Sequence, residues 1–342
     1  MSIETTVFGS YEGKTVYRYT LTNRNGAYLS VLNYGGILQR LYLPDREGRL
    51  GDIVCGFDSV EDYVTDASSY TGSLVGRYAN RISEGGFTLD GRFYSIALNE
   101  KGRCHLHGGV CGFNRRLWQV KTLSEEGADT LILTLTSPDG EEGYPGNLRV
   151  EVRYTFDDAN TLTLTYRAET DKPTVVNLTN HAYFNLNGYD GRSVMEQELR
   201  LYASRYDEVD ESLLPIGAPR SVEGTAFDFR QRRPIARPYD HNFHIDGPCG
   251  TLRPAAEAYD GESGRTLTLY TDLPAVQLYT AVMMDGKTAF KGGVPQRKLH
   301  AFCLETQYSP DTPHRPELPS CVVTPKRCYT STTRFVFGVD NR

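Results

Sequence analysis

Between residues 148 and 157 apolar and polar side chains alternate, with Leu148, Val150, Val152, Tyr154 and Phe156 set against Arg149, Glu151, Arg153, Thr155 and Asp157. Successive side chains of an extended chain point to opposite faces, so this run predicts a strand with one face in a core. The polar turn Asp158-Ala159-Asn160 follows, and then Leu162, Leu164 and Tyr166 alternate with Thr161, Thr163 and Thr165. The pair predicts an antiparallel hairpin. Similar runs lie at 27–33, 131–136, 174–178, 266–271 and 333–338. Eight Asn-Gly or Asp-Gly pairs, from Asn25-Gly26 and Asp90-Gly91 to Asp285-Gly286, punctuate the chain. These residues accept the positive φ that tight turns between strands demand. Helical patterns are few; 58–64 (DSVEDYV) predicts one or two turns behind Asp58 as cap. No Pro-, Ser- or Gly-rich linker and no fixed-period repeat divides the chain. The expectation is an all-β protein, one large antiparallel β-sandwich domain over residues 1–342.

Composition narrows the function classes. A net charge of −6 offers no basic surface for nucleic acid or an anionic membrane. No apolar run approaches the roughly 20 residues of a membrane span. The first residues carry Glu4 and lack an apolar signal segment. Seven cysteines, an odd and scattered set, read as free thiols. Together these features predict a cytoplasmic protein.

Histidine is scarce, so its placement carries information. The stretch CHLHGGVC, residues 104–111, suggests a metal knot, since both residue types bind zinc. The spacing argues against it: Cys104 and Cys111 lack the two-to-four-residue gap of zinc motifs, and no second pair follows. His105 and His107 would share one side of a strand, but a third ligand cannot be named. The cysteines read as small packing residues, and without a Cys-x-x-Cys pair redox chemistry is not indicated. A second cluster, NLTNHAYFNL at 177–186, joins His181 to three asparagines and two aromatics. Amides suit hydroxyl-rich ligands and aromatic faces suit sugar rings; the same residues also make an ordinary loop. In 302–307 (FCLETQ) the alternation sets Cys303 and Glu305 on one face, which predicts a partly buried carboxylate able to act as a base. Arg81 and Asp240 read by themselves as surface or salt-bridge residues.

The blocks NYGG (33–36), GRYANRI (76–82), LHGG (106–109), NLTNHAYFNL (177–186), TAFDFR (225–230), DHNF (240–243), VQLYT (276–280) and FCLETQ (302–307) occur in one order. That series resembles the aldose 1-epimerase (mutarotase) family over about residues 8 to 338. The resemblance implies a β-supersandwich with an open cleft, no metal and no organic cofactor. It implies interconversion of the α and β anomers of free aldoses such as galactose and glucose. By position, Glu305 matches the family's catalytic base and His181 its acid, with His107 in support. Asn80, Arg81, His107, Asp240 and Gln277 match sugar-binding positions. The implied partner is a monosaccharide, an aldohexose or an aldopentose, with the chain a monomer or homodimer. One departure is Ala281-Val282, where the family commonly has Gly-Asn after the Gln-x-Tyr-Thr run.

Two other classes fit some of these residues. A glycoside hydrolase would use Asp240 and Glu305 as a carboxylate pair roughly 5–10 Å apart. A sugar-binding protein without turnover would need only the polar cluster.

Overall fold

A computed structural model describes residues 2–340 apart from 285 and 287. The turn expected at Asp285-Gly286 falls on residue 285 and lies outside the described residues. Three antiparallel sheets make the frame. The largest has nine strands in the order Gln119–Glu125, Ala128–Ser137, Leu148–Asp157, Thr161–Thr170, Tyr329–Val339, Arg265–Thr271, Arg253–Tyr259, Glu198–Leu201 and Arg233–Pro234. An N-terminal sheet runs in chain order through Ser2–Tyr11, Lys14–Thr22, Tyr28–Leu32, Leu38–Pro44 and Leu50–Asp52. A third sheet, which carries much of the site, has the order Arg220–Ser221, Ala203–Tyr206, Asp240–Ile245, Ala275–Tyr279 and Cys303–Gln307.

The predicted hairpin forms as read, with Tyr154 opposite Leu164 and Phe156 opposite Leu162. Along Leu148–Asp157 the apolar residues are buried and the intervening ones are exposed or half-buried. One apolar cluster draws Leu29, Val31 and Leu41 from the N-terminal sheet, Leu133 and Val152 from the largest, and Val276, Leu278 and Leu304 from the third. The three sheets therefore share a core, and each such side chain contributes about 1.5–3 kcal/mol by leaving water. Turn chemistry also follows the sequence: Asp90 and Gly91 both have positive φ, 50° and 76°, between the paired strands Gly86–Leu89 and Arg92–Ser95. That is the type I′ requirement.

Two local expectations need correction. The run 174–178 is strand only at Thr174–Val175. The helix is Val60–Thr65, and its cap is Ser59, whose Oγ accepts the Asp62 N–H at 3.1 Å. Asp58 instead accepts the Gly292 N–H at 2.7 Å. Among the described residues no helix is long and apolar enough to cross a membrane.

Candidate functional site

The third sheet arranges its side chains by register. Gln277 lies directly opposite Glu305, and Asn242 opposite Gln277. Alternation then puts Cys303, Glu305 and Gln307 on one face of their strand. His181 enters from another element: it follows the short strand Thr179–Asn180, which pairs with Leu74–Val75. Arg81 and His107 come from a third, the two-residue ladder in which Leu106 pairs with Arg81.

These elements converge. His181 Nε2 lies 3.7 Å from Glu305 Oε1, and both side chains are almost fully buried. One donor atom each of His107, His181 and Glu305 falls within 4.8 Å of the others. Glu305 Oε2 is buried without a hydrogen-bond partner, and so is Arg81 Nε. An unpartnered buried carboxylate oxygen and guanidinium nitrogen are costly unless a ligand satisfies them. Gln277 Nε2 donates to Asp240 Oδ1 at 2.6 Å, joining two more expected positions. Tyr70, Tyr183 and Tyr279 surround the His181 ring, with centroids at 6.0, 4.9 and 6.0 Å.

The electrostatics follow from burial. Desolvation pushes Glu305 well above the ordinary carboxylate range; the charge of Asp240 adds to this and Arg81 opposes it. Desolvation lowers His181 to about 4. His107 is held well below the ordinary imidazole value, by burial first and then by His181 and Arg81. Burial thus disfavours the charged form of both imidazoles and of the Glu305 carboxyl alike.

His107 is tied to Asn80 twice. The Asn80 N–H donates to His107 Nδ1 at 3.1 Å, and the His107 N–H donates to the Asn80 carbonyl at 3.1 Å. With Nδ1 accepting, the neutral ring carries its proton on Nε2, which makes that atom a hydrogen-bond donor rather than a metal-ligating lone pair. Asn80 Oδ1 accepts the Arg81 N–H at 2.9 Å, so the Asn80 backbone and side chain fix both neighbours.

The stretch CHLHGGVC resolves into separate parts. The strand ends at Leu106, and His107 takes a left-handed φ of 50°. The two histidines consequently do not share a side: His105 is buried against Tyr144 Oη at 2.7 Å and the Ala97 carbonyl at 2.8 Å. Cys104 is a buried packing residue, but Cys111 is exposed, so the packing reading fails there. All seven cysteines are free.

In NLTNHAYFNL the asparagines turn to the protein itself. Asn177 Nδ2 donates to the carbonyls of Ala79 and Tyr308, Asn180 to that of Gly72, and Asn185 to those of Arg192 and His300. The loop reading holds for them, while His181 alone of the block's polar residues joins Glu305. Ala281, where the family commonly has glycine, has a φ of 51° and belongs to the same buried apolar cluster as Tyr279 and Tyr183.

A family model described as aldose 1-epimerase matches residues 17–336. A galactose mutarotase from Bos taurus is 40% identical over 349 residues, covering 99% of each chain. An aldose 1-epimerase from Escherichia coli K12 is 34% identical over 340 residues, covering 95% of this chain and 96% of that one. Among solved structures, an aldose epimerase homologue from C. elegans superposes with a TM-score of 0.86 at 30% identity, covering 94% of this chain and 98% of that one. A galactose 1-epimerase from Lactobacillus acidophilus gives 0.86 at 28% identity and 99% coverage of both chains. The chain belongs to the aldose 1-epimerase family.

Proposed function

We propose that this protein is a mutarotase that opens and recloses the ring of a free aldose, with Glu305 and His181 exchanging protons with its two anomeric oxygens. The carrying observation is the 3.7 Å between Glu305 Oε1 and His181 Nε2, both on almost fully buried side chains. O1 and O5 of a pyranose are bonded to the same carbon, so groups that serve both must stand this close together. The family and the galactose mutarotases among its members support the reading and favour neither glycoside hydrolysis nor binding without turnover. Asp240 Oδ1 is already engaged by Gln277, which suits an anchor for a sugar hydroxyl better than a second catalytic carboxyl.

In the proposed reaction one carboxylate and one imidazolium suffice. Glu305 removes the O1 proton as His181 delivers one to O5, the C1–O5 bond breaks, and the aldehyde forms. Rotation about C1–C2 turns the other carbonyl face toward O5, and reversed proton transfers close the ring. The Nε2–H of His107 and the guanidinium of Arg81 stabilise negative charge growing on oxygen. Asp240, Gln277 and Asn80 hold the remaining hydroxyls. We also take residues 1–342 as one domain, because the three sheets share a core. In a polarimeter, fresh α-galactose is expected to relax faster with the protein present while nitrophenyl glycosides stay uncut. Release of nitrophenol, or unchanged relaxation, would overturn the reading.

The proton count sets the pH dependence. Turnover needs one proton on the pair, whichever member holds it at rest. Below about 4 His181 gains a second proton, and Glu305, still protonated, cannot act as base. Above the raised value of Glu305 the pair loses its only proton and has no acid. A bell-shaped profile of kcat/KM is expected, with its acid limb at about 4 and its alkaline limb at the raised value of Glu305, the two limbs belonging to the pair jointly. Polarimetric rates corrected for the uncatalysed reaction measure it; an acid limb near neutrality would contradict this account.

A further inference from the structure

Behind Gln277 lies a chain of buried polar groups that the reaction does not touch. Asp207 begins it. Its carboxylate meets His244 Nε2 at 3.1 Å and Arg315 Nη1 at 3.0 Å, with the Asp207 side chain 1% exposed. Burial opposes its ionisation, yet His244 and Arg315 hold it below the ordinary carboxylate range. An ionised carboxylate only accepts hydrogen bonds. Asn242 must therefore turn its amide nitrogen toward it, and Nδ2 does donate to Asp207 Oδ2 at 2.8 Å. The same nitrogen donates to Ser309 Oγ at 3.1 Å.

That choice fixes the next one. Asn242 Oδ1 faces Gln307 and accepts from its Nε2 at 2.9 Å. The same Gln307 nitrogen reaches Gln277 Oε1 at 3.4 Å. Gln307 Oε1 is buried without a partner, so the two acceptors on the other side decide the orientation of this amide. With its oxygen held by Gln307, Gln277 directs its NH2 group at Asp240. Reversing any one amide would set oxygen against oxygen in a buried site, a penalty larger than the gain of an ordinary hydrogen bond.

We propose that Gln307 and Asn242 are positioning residues, which transmit the fixed polarity of the buried Asp207 carboxylate to Gln277 and so hold Asp240 oriented for a sugar hydroxyl. The inference rests on the reading of Asp240 and Gln277 as sugar anchors. It separates two groups on one sheet face, with Glu305 acting on the anomeric oxygens and the amide chain serving binding alone.

The test is a split between KM and kcat. Gln307→Met keeps length and removes both donors. KM for galactose is expected to rise about tenfold, with kcat within about twofold of the unsubstituted protein. In a Gln277→Met background the Gln307→Met change is expected to add nothing further to KM, because its effect passes through Gln277. A merely structural role would give a second, additive increment, and that result overturns the proposal. So would an unchanged KM, or a fall in kcat matching the rise in KM. If Gln307→Met does not fold, Gln307→Glu, which keeps the shape but removes the donors when ionised, is put through the same cycle with the same criteria. Absence of any catalysed mutarotation in the unsubstituted protein would instead defeat the functional reading itself.

Discussion

Glu305→Gln is expected to lower kcat for mutarotation by roughly 10³-fold, while galactose still binds. The amide keeps the shape of the carboxyl but can neither take the O1 proton nor return it. Arg81, His107, Asp240, Asn80 and Gln277 are left in place, so the dissociation constant measured by calorimetry should change by less than about tenfold. Thermal stability should not fall. A buried carboxyl with Oε2 unpartnered and Asp240 nearby is a poor arrangement for stability, and a neutral amide removes the cost of holding a carboxyl protonated above its ordinary range. Loss of turnover with retained binding and an undiminished Tm distinguishes a chemical role from a packing role. Near-normal turnover in this variant would remove Glu305 from the mechanism.

Gly108→Ala is expected to be the most damaging small change near the cleft. Gly108 has a φ of 87°, and a Cβ there would meet the Gly76 carbonyl oxygen at 1.8 Å and its carbon at 2.4 Å. These are backbone atoms, so no side chain can swing aside to relieve the contact. The left-handed conformation alone costs an alanine about 1–2 kcal/mol, and the enforced shift of two backbones adds to it. The shift also acts directly on His107, the preceding residue, and on the Gly76–Ile82 segment that carries Arg81. A Tm lower by several degrees together with a raised KM is expected. Gly102→Ala is the matched control, since its φ is 67° but nothing lies within 4 Å of the added Cβ. That variant should show the small conformational cost and normal kinetics. Equal behaviour of the two variants would show that the close approach at Gly108 does not matter.

How far the sequence could be read depended on whether a signal was local. The strand Leu148–Asp157 and its hairpin partner announced themselves because alternation there separates a buried face from a wetter one. The turn at Asp90-Gly91 was equally legible, being a property of two adjacent residues. The strand Cys303–Gln307 was harder. All five residues are buried, so both faces are interior and alternation no longer marks an inside. A polar face turned into the interior has the same pattern as one turned to water. The grouping of Cys303 with Glu305 survived because parity is a local property, and the resemblance to a family supplied the rest of the candidate site. Gln307 shares that parity, but parity alone does not mark an amide as functional.

What sequence reasoning missed depends on register between distant strands. Asp207, Asn242, Gln277 and Gln307 meet only because 203–206, 240–245, 275–279 and 303–307 are neighbours in one sheet. Nothing local to Asn242 signals a partner at Asp207 or Gln307. The aromatic wall around His181 was half visible, since Tyr183 lies in the same block, whereas Tyr70 and Tyr279 come from elsewhere. The asparagines of NLTNHAYFNL were ambiguous for a different reason. An amide that would serve a sugar serves a backbone carbonyl equally well, and which it does is set by what packs above it. His105 and His107 separated because one backbone angle turned positive just past the strand end, at the residue preceding Gly108-Gly109.

The central claim is that Glu305 and His181 exchange anomers of a free sugar through a shared proton. Proton exchange spectroscopy of an equilibrated galactose solution tests it most directly, because cross-peaks between the α and β anomeric protons report ring opening and closure without any net change in composition. With catalytic amounts of the unsubstituted protein, cross-peaks are expected at neutral pH on a time scale where galactose alone gives none, and with Glu305→Gln they are expected to vanish. Absence of exchange with the unsubstituted protein, or its persistence in Glu305→Gln, would contradict the account.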